Sequence, residues 1–407
     1  MDPTDDKPNA LRGECMSERA LKGPIGASDI SPWRDALERM LKRIEATAGT
    51  IDHGFPHYAE TGTGTWTVSE AGDWTGGFWV GMLWLAHRVT GDPRYHDWAR
   101  RWTQLLRRRA SSETVFRGFL FYYGTALGDV LCGDDLARSV GIDGARGLAT
   151  LFNTAAGIIP LGAAAEEATD VGASEANIDG MQSSALLAWA AERCGDARLR
   201  DIGARHALTS LKVFLRPDHS VVQSSSIDAA TGRVLRTYTH KGIRDDSTWT
   251  RAQAWALLGT TVDAIWLPEL RRTLLPAARD IADWWLQHVP ADFVANWDFD
   301  APRASSTPRD TSGTAIAAAA LLKLSAQCDN EADRIRYRRA AESTASALIS
   351  HFLTPTHAGD TRPVGMLTEG CYNYRISLAT SHELIWGSYY LFEALCVLGG
   401  LLEPARI

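Results

Sequence analysis

The sequence predicts an all-α fold, an (α/α)6 barrel of six helical hairpins with long loops and short β-hairpins gathered at one end. Three observations predict it. Apolar residues recur at intervals of three and four through most of the chain, the period of a helix with a buried face. Turns repeat in a common dialect: "HRVTGDPRYHDWARRW" and "ERCGDARLRDIGARHA" each end one helix, turn through Gly-Asp and open the next with basic residues. Connections on one side are much longer than those on the other, which suits a closed toroid with one elaborated end better than a stacked solenoid.

The polar, acidic stretch 1–30 reads as a tail, and 31–407 as a single catalytic domain, since neither a Ser/Thr/Pro-rich linker nor a break in composition interrupts it. A helix over about 32–47 opens the body. The loop 51–76 then runs into "GDWTGGFWVGMLWLAHR", which starts a helix over 77–90. Its glycines allow close approach of backbone or ligand, and Trp74, Phe78 and Trp79 bring aromatic surface to the junction. Helices over 93–109, 119–132 and 134–151 follow. After the loop 157–178 comes "ANIDGMQSSALLAWAAE", a helix over 179–193 with an acid, Asp179, at its mouth. A carboxylate there either caps the helix or is a proton donor aimed into a pocket, and the stretch itself leaves both open.

A helix over 196–214 precedes "SVVQSSSIDAATGRVLRTYT", two short strands around a turn in which Gly232 supplies the backbone conformation. "THKGIRDDSTWTRAQAWALLG" carries the densest chemistry. His240, Lys241 and Arg244 precede Asp245 and Asp246, and a helix over 249–264 begins with Trp249, Arg251 and Trp255. One of the two aspartates suits a helix cap; Arg251, on the first turn, projects toward the loop end, where a guanidinium holds an anion. Helices over 269–288, 311–326, 330–352 and 382–398, with loops 289–310 and 353–381, complete twelve.

Composition excludes several classes. A net charge of −7 argues against a nucleic-acid binder, and no apolar run approaches a membrane span or a secretory leader, so a cytoplasmic protein is expected. Six cysteines lack metal-ligand spacing, and phosphate loops, Ser-centred elbows, zinc motifs and dinucleotide fingerprints are absent; neither metal nor cofactor is expected. Fifteen tryptophans, more than a core requires, suit stacking against sugar rings. Carboxylates, His and cations are a glycosidase-like toolkit.

"DWTGGFWVGMLWLAH", "NIDGMQSSALLAWAAE", "HKGIRDDSTWTRAQAWALLG", "WDFDAP", "PRDTSGTAIAAAALLKL" and "HELIWGSYYLFEAL" come in the order and near the spacing seen in unsaturated glucuronyl hydrolases, glycoside hydrolase family 88. The resemblance covers about 32–398, and the W-x-R-x-Q-A-W and PRD-[ST]-[SA] segments are fairly specific. It implies the (α/α)6 barrel, no metal, and removal of a 4,5-unsaturated uronic acid from the non-reducing end of an oligosaccharide. The implied reaction is hydration of a vinyl ether: an Asp protonates C4, water adds at C5, and the hemiketal opens to release the next sugar. Asp179 matches the family's acid. Trp249 and Arg251 match substrate-pocket residues, His240 falls on a substrate-contacting His, and Lys241 stands where Gln is usual. With Trp74, Arg117 and Trp255 these complete the expected binding set.

One departure is large. The family's H-D-x-G-F segment, whose Asp is a second essential carboxylate, corresponds to "ETVFRGF", with Val115 for the His and Phe116 for the Asp. Glu113, Asp73, Asp245 and His240 are the candidates to replace it. Gly76 and Ser388 depart from the usual Asn and Asp of two other motifs. Losing a positioned proton-transfer group costs about a hundredfold or more, so ordinary glycosaminoglycan-derived disaccharides are expected to be poor substrates. The alternatives to a hydrolase of this type are a sugar-transforming enzyme with changed substrate or mechanism, and a silent sugar-binding protein.

Overall fold

The repeated Gly-Asp turns are the joints of the fold. Gly91, Gly133 and Gly195 end their helices with φ of 71°, 67° and 70°, a left-handed conformation that suits glycine. The next residue, Asp92, Asp134 or Asp196, caps the following helix by accepting from the backbone N–H of Arg94, Ala137 or Arg198. The third instance, "LCGDDLAR", has the same form; Asn330 does the equivalent for a later helix.

The computed structural model describes residues 32–407; the expected tail over 1–30 lies outside the described residues. Six inner helices line the barrel: Gly76–Thr90, a composite of Arg117–Phe121, Tyr122–Ala126 and Leu127–Cys132, then Ser183–Cys194, Thr250–Trp266, Thr311–Gln327 and Ile385–Leu398. They are apolar on nearly all faces, so they are stable only inside; every residue of Ile385–Leu398 is buried. Six amphipathic outer helices cover them: Pro32–Thr50, Pro93–Leu106, Asp135–Ala149, Ala197–Phe214, Arg271–His288 and Glu331–His351. The ring closes where Ile385–Leu398 packs against both Gly76–Thr90 and Pro32–Thr50. In the composite helix, Tyr122–Ala126 is a π-helical turn, and the Gly124 carbonyl accepts from Trp84 Nε1 and Thr103 Oγ1.

Short turns join five inner helices to the outer helix that follows, and Ile385–Leu398 enters from the long loop after His351, so all six inner helices present their N-termini to the long-loop end. Two small antiparallel sheets stand there. One pairs Phe55–Ala59 with Trp66–Ser69 and Glu383–Leu384, tying the first loop to the last. The other contains the expected hairpin, Ser224–Ile227 with Val234–Tyr238, and adds Ala176–Asn177 as a third strand. That strand runs directly into Asp179. No helix among the described residues is long and apolar enough to cross a membrane.

Candidate active site

Asp179 is not the cap of its helix. It sits in a 3-10 turn, Ile178–Gln182, ahead of Ser183–Cys194, and the cap belongs to Asn177, whose Oδ1 accepts from Asp179 N at 3.1 Å. The Asp179 carboxyl is buried, and its Oδ2 finds no hydrogen-bond partner among the described residues. Burial pushes its pKa up to about 6; Lys241, Arg251 and His240 pull it down, and Glu167 pushes it further up. An acid that keeps its proton to near neutral pH and is not tied into the backbone is free for proton transfer.

The loop after the second sheet brings His240 and Lys241 to it. Gln223 Oε1 accepts from the backbone N–H groups of His240 and Lys241 and from Thr239 Oγ1, fixing that turn. His240 Nε2 lies 2.9 Å from Glu167 Oε2, and Lys241 Nζ is paired with Glu167 Oε1. The Lys241 ammonium also stands 5.4 Å from the ring centres of both Trp249 and Tyr372, within cation–π range.

Trp74, buried beside this cluster, donates from Nε1 to Tyr372 OH at 3.1 Å and packs on Trp386, with ring centres 4.6 Å apart. Phe116 lies in the same aromatic wall, 6.2 Å from Trp74 between ring centres. His57 completes it: its Nδ1 is 3.5 Å from Asp73 Oδ2, and its Nε2 is buried without a partner among the described residues.

The structure thus gathers Asp179, His240, Lys241, Trp249 and Trp74, and it corrects two expectations, those for Arg117 and Trp255. Arg117 turns away from the pocket: its Nε donates to Thr114 O and its Nη1 to Ala110 O, beside Gly147 of an outer helix, where burial pulls its pKa down to about 10. Trp255 is sealed in the barrel interior against Phe119, Phe78 and Tyr390, a layer beneath the pocket. Arg251 is close enough to act on Asp179, but its guanidinium is already committed. Nη1 donates to Asp310 Oδ2 and Cys371 O, and Nη2 to Tyr372 O, each at 2.6 Å. It fastens the loop that carries Tyr372.

Of the candidate replacements for the missing acid, His240 joins the cluster and Asp73 meets the aromatic wall through His57, while the other two fall elsewhere. Glu113 and Asp245 are exposed; Glu113 contributes its backbone carbonyl to Ala164 N, and Asp245 accepts from Thr239 N. Asp73 pairs with His57. The carboxylate that does reach the cluster is Glu167, from the loop 157–178, where "AAAEEATDV" offers no periodic or motif signal to single it out. Among the described residues, no group of His, Cys, Asp and Glu is arranged to hold a metal.

A closed barrel with an unpaired acid among aromatic rings and cations at its loop end defines a carbohydrate-processing enzyme. No family model matches the chain. It is 32% identical over 368 residues to an unsaturated glucuronyl hydrolase of Bacillus sp. (strain GL1), covering 89% of this chain and 96% of that protein. An unsaturated glucuronyl hydrolase of Formosa agariphila is 32% identical over 331 residues, covering 79% of each. The crystal structure of the Bacillus sp. GL1 enzyme superposes with a TM-score of 0.82 at 31% identity, over 90% of this chain and 96% of that one. The chain belongs to the unsaturated glucuronyl hydrolases, which are glycoside hydrolases.

Proposed function

We propose that this enzyme removes a 4,5-unsaturated uronic acid from the non-reducing end of an oligosaccharide, with Asp179 as the proton donor. The observation that carries the reading is the Asp179 carboxyl: buried, unbonded at Oδ2 and protonated to about pH 6. Asp179 gives its proton to C4 of the sugar. The ring oxygen lone pair supports the positive charge that develops at C5, and water adds there after losing a proton to the Asp179 carboxylate. The product is a hemiketal that opens and frees the next sugar, so the acid is regenerated and no redox partner enters. Trp74, Trp249 and Tyr372 offer ring faces for the sugar, and the Lys241 ammonium stands 5.4 Å from the ring centres of Trp249 and Tyr372. We place the protein in the cytoplasm, in keeping with buried free thiols at Cys328, Cys371 and Cys396.

The test is loss of the ultraviolet absorbance of the double bond when an unsaturated uronyl disaccharide is mixed with protein. Wild type should consume it and Asp179→Asn should not, with the fold unchanged because Asn177 holds the cap. Turnover by the variant would remove Asp179 from the chemistry; binding without loss of absorbance by the wild type would make this a sugar-binding protein.

A further inference from the structure

We infer that Glu167 is the positioning carboxylate of this site, holding Lys241 and His240 so that Asp179 keeps its proton, in place of the acid whose position Phe116 occupies. This rests on Asp179 being the proton donor. Phe116 puts a hydrocarbon ring in the wall beside Trp74, where the family resemblance implies a second acid, and leaves Asp179 with basic neighbours. Those neighbours are Lys241 and His240 from the loop before Trp249, and Arg251 from the inner helix, itself balanced by Asp310. Burial holds the Asp179 pKa up, Lys241 and His240 pull it down, and Glu167 pushes it up again. Glu167 meets both directly, Lys241 through Oε1 and His240 at 2.9 Å through Oε2, and Oε2 also accepts from Asn177 Nδ2 at 3.2 Å. The Asn177 bond matters because the same side chain, through Oδ1, caps the turn that carries Asp179.

The segment bearing Glu167 is pinned on both sides. Arg109 Nη2 pairs with Glu166 at 3.0 Å, Ala164 N donates to Glu113 O at 2.9 Å, and Gly162 N donates to Ala173 O at 2.9 Å. Gly162 has φ of 91°, and a Cβ there would lie 2.2 Å from Glu113 O, so only glycine allows this close approach. The remaining groups near the cluster are Tyr372, which keeps its proton because burial raises it, Glu166, paired with Arg109, and His206. His206 lies behind Gly180 and is held neutral by burial, which lowers its pKa to about 4. Burial alone would raise the Glu167 carboxyl, but Lys241 and His240 outweigh it and hold Glu167 ionised well below the usual carboxylate range. Glu167 therefore supplies a permanent negative charge while Asp179 supplies the proton.

The experiment compares wild type, Glu167→Gln and Glu167→Asp by two readouts. The first is the protonated-carboxyl infrared band that Asp179→Asn lacks, followed against pH. The second is the pH profile of kcat and KM on an unsaturated uronyl disaccharide. Glu167→Gln should move the Asp179 midpoint down by about one pH unit or more, since a neighbouring charge shifts a carboxyl by that order. The alkaline limb of kcat should move with it, and Glu167→Asp should restore most of the shift. An unmoved midpoint overturns the proposal, as does a lower KM with unchanged kcat, which would make Glu167 a competitor of the substrate for Lys241. If the wild type does not consume the disaccharide, the function reading fails, and the infrared midpoint still decides the role of Glu167. Melting curves confirm that each variant is folded.

Discussion

Ionising Asp179 inside the folded protein costs free energy, because burial withdraws water that nothing in its hydrogen bonding replaces. Its folded pKa, about 6, lies above the ordinary 3.8. The associated stability is fully present below pH 3.8 and is lost as pH rises through about 6, a difference of about 3 kcal/mol at 1.36 kcal/mol per unit. Asp179→Asn should therefore melt above the wild type at about pH 8, with the gap closing toward about pH 4, and calorimetry across that range checks it. The same proton sets activity: kcat should fall above about pH 6 as the donor ionises, and a flat profile through pH 7 would assign the proton to another group. Arg251→Lys is a stability change before it is a binding change. A lysine cannot reproduce the fork that spans Asp310, Cys371 O and Tyr372 O, so we expect a loss of about 2–4 kcal/mol in denaturant unfolding and a loosened Tyr372 loop.

Among the elements, the Gly-Asp joints and the inner-helix glycines have separable costs. Asp196 caps the Ala197–Phe214 helix at a half-buried position far from the pocket. Asp196→Ala should lower stability by about 1 kcal/mol and leave kcat alone. Gly77 is different, since a Cβ there would stand 2.6 Å from the carbonyl oxygens of both Phe119 and Leu120. Those atoms are backbone of the neighbouring inner helix and cannot swing aside. Gly77→Ala should cost about 1–3 kcal/mol or more and disturb the wall that holds Trp74 and Phe116. Gly77 thus serves helix packing, of the two uses open to the glycines of "GDWTGGFW".

For the whole molecule, closing a ring of helices leaves polar groups inside that only partners from distant sequence can satisfy. Lys323 Nζ on one inner helix meets Glu393 Oε1 on the next at 2.9 Å and donates to Ile407 O at 2.9 Å, while Tyr389 OH donates to Glu393 Oε2 at 2.7 Å. The cluster joins Thr311–Gln327 to Ile385–Leu398, remote from Asp179 in sequence. Lys323→Met would leave Glu393 charged and buried beside a single hydroxyl, so unfolding should become easier by about 3–5 kcal/mol with KM unchanged. The six inner-helix N-termini that converge on the loop end add a field favourable to anions there, which suits a uronate and opposes the burial that keeps Asp179 protonated.

Twelve helices, their short turns and the strand pair around Gly232 were legible in the sequence because they rest on local physics: a 3.6-residue apolar period, left-handed glycine and capping Asp. Asp179, His240, Lys241 and Trp249 were legible because they stand in motif segments. What only tertiary structure decided was direction and partnership. Arg117 and Trp255 share motifs with pocket residues, yet one points between the inner and outer layers and the other into the core, since a helix turns successive side chains by about 100° and the neighbours decide which face is open. Asn177 capped the turn instead of Asp179 because a two-residue strand, Ala176–Asn177, pairs with Ser224–Ile227 and sets the entry angle. Glu167 had no local signature. Its role arises from three contacts across 10, 73 and 74 residues of chain, and only folding brings those groups within reach of one carboxylate.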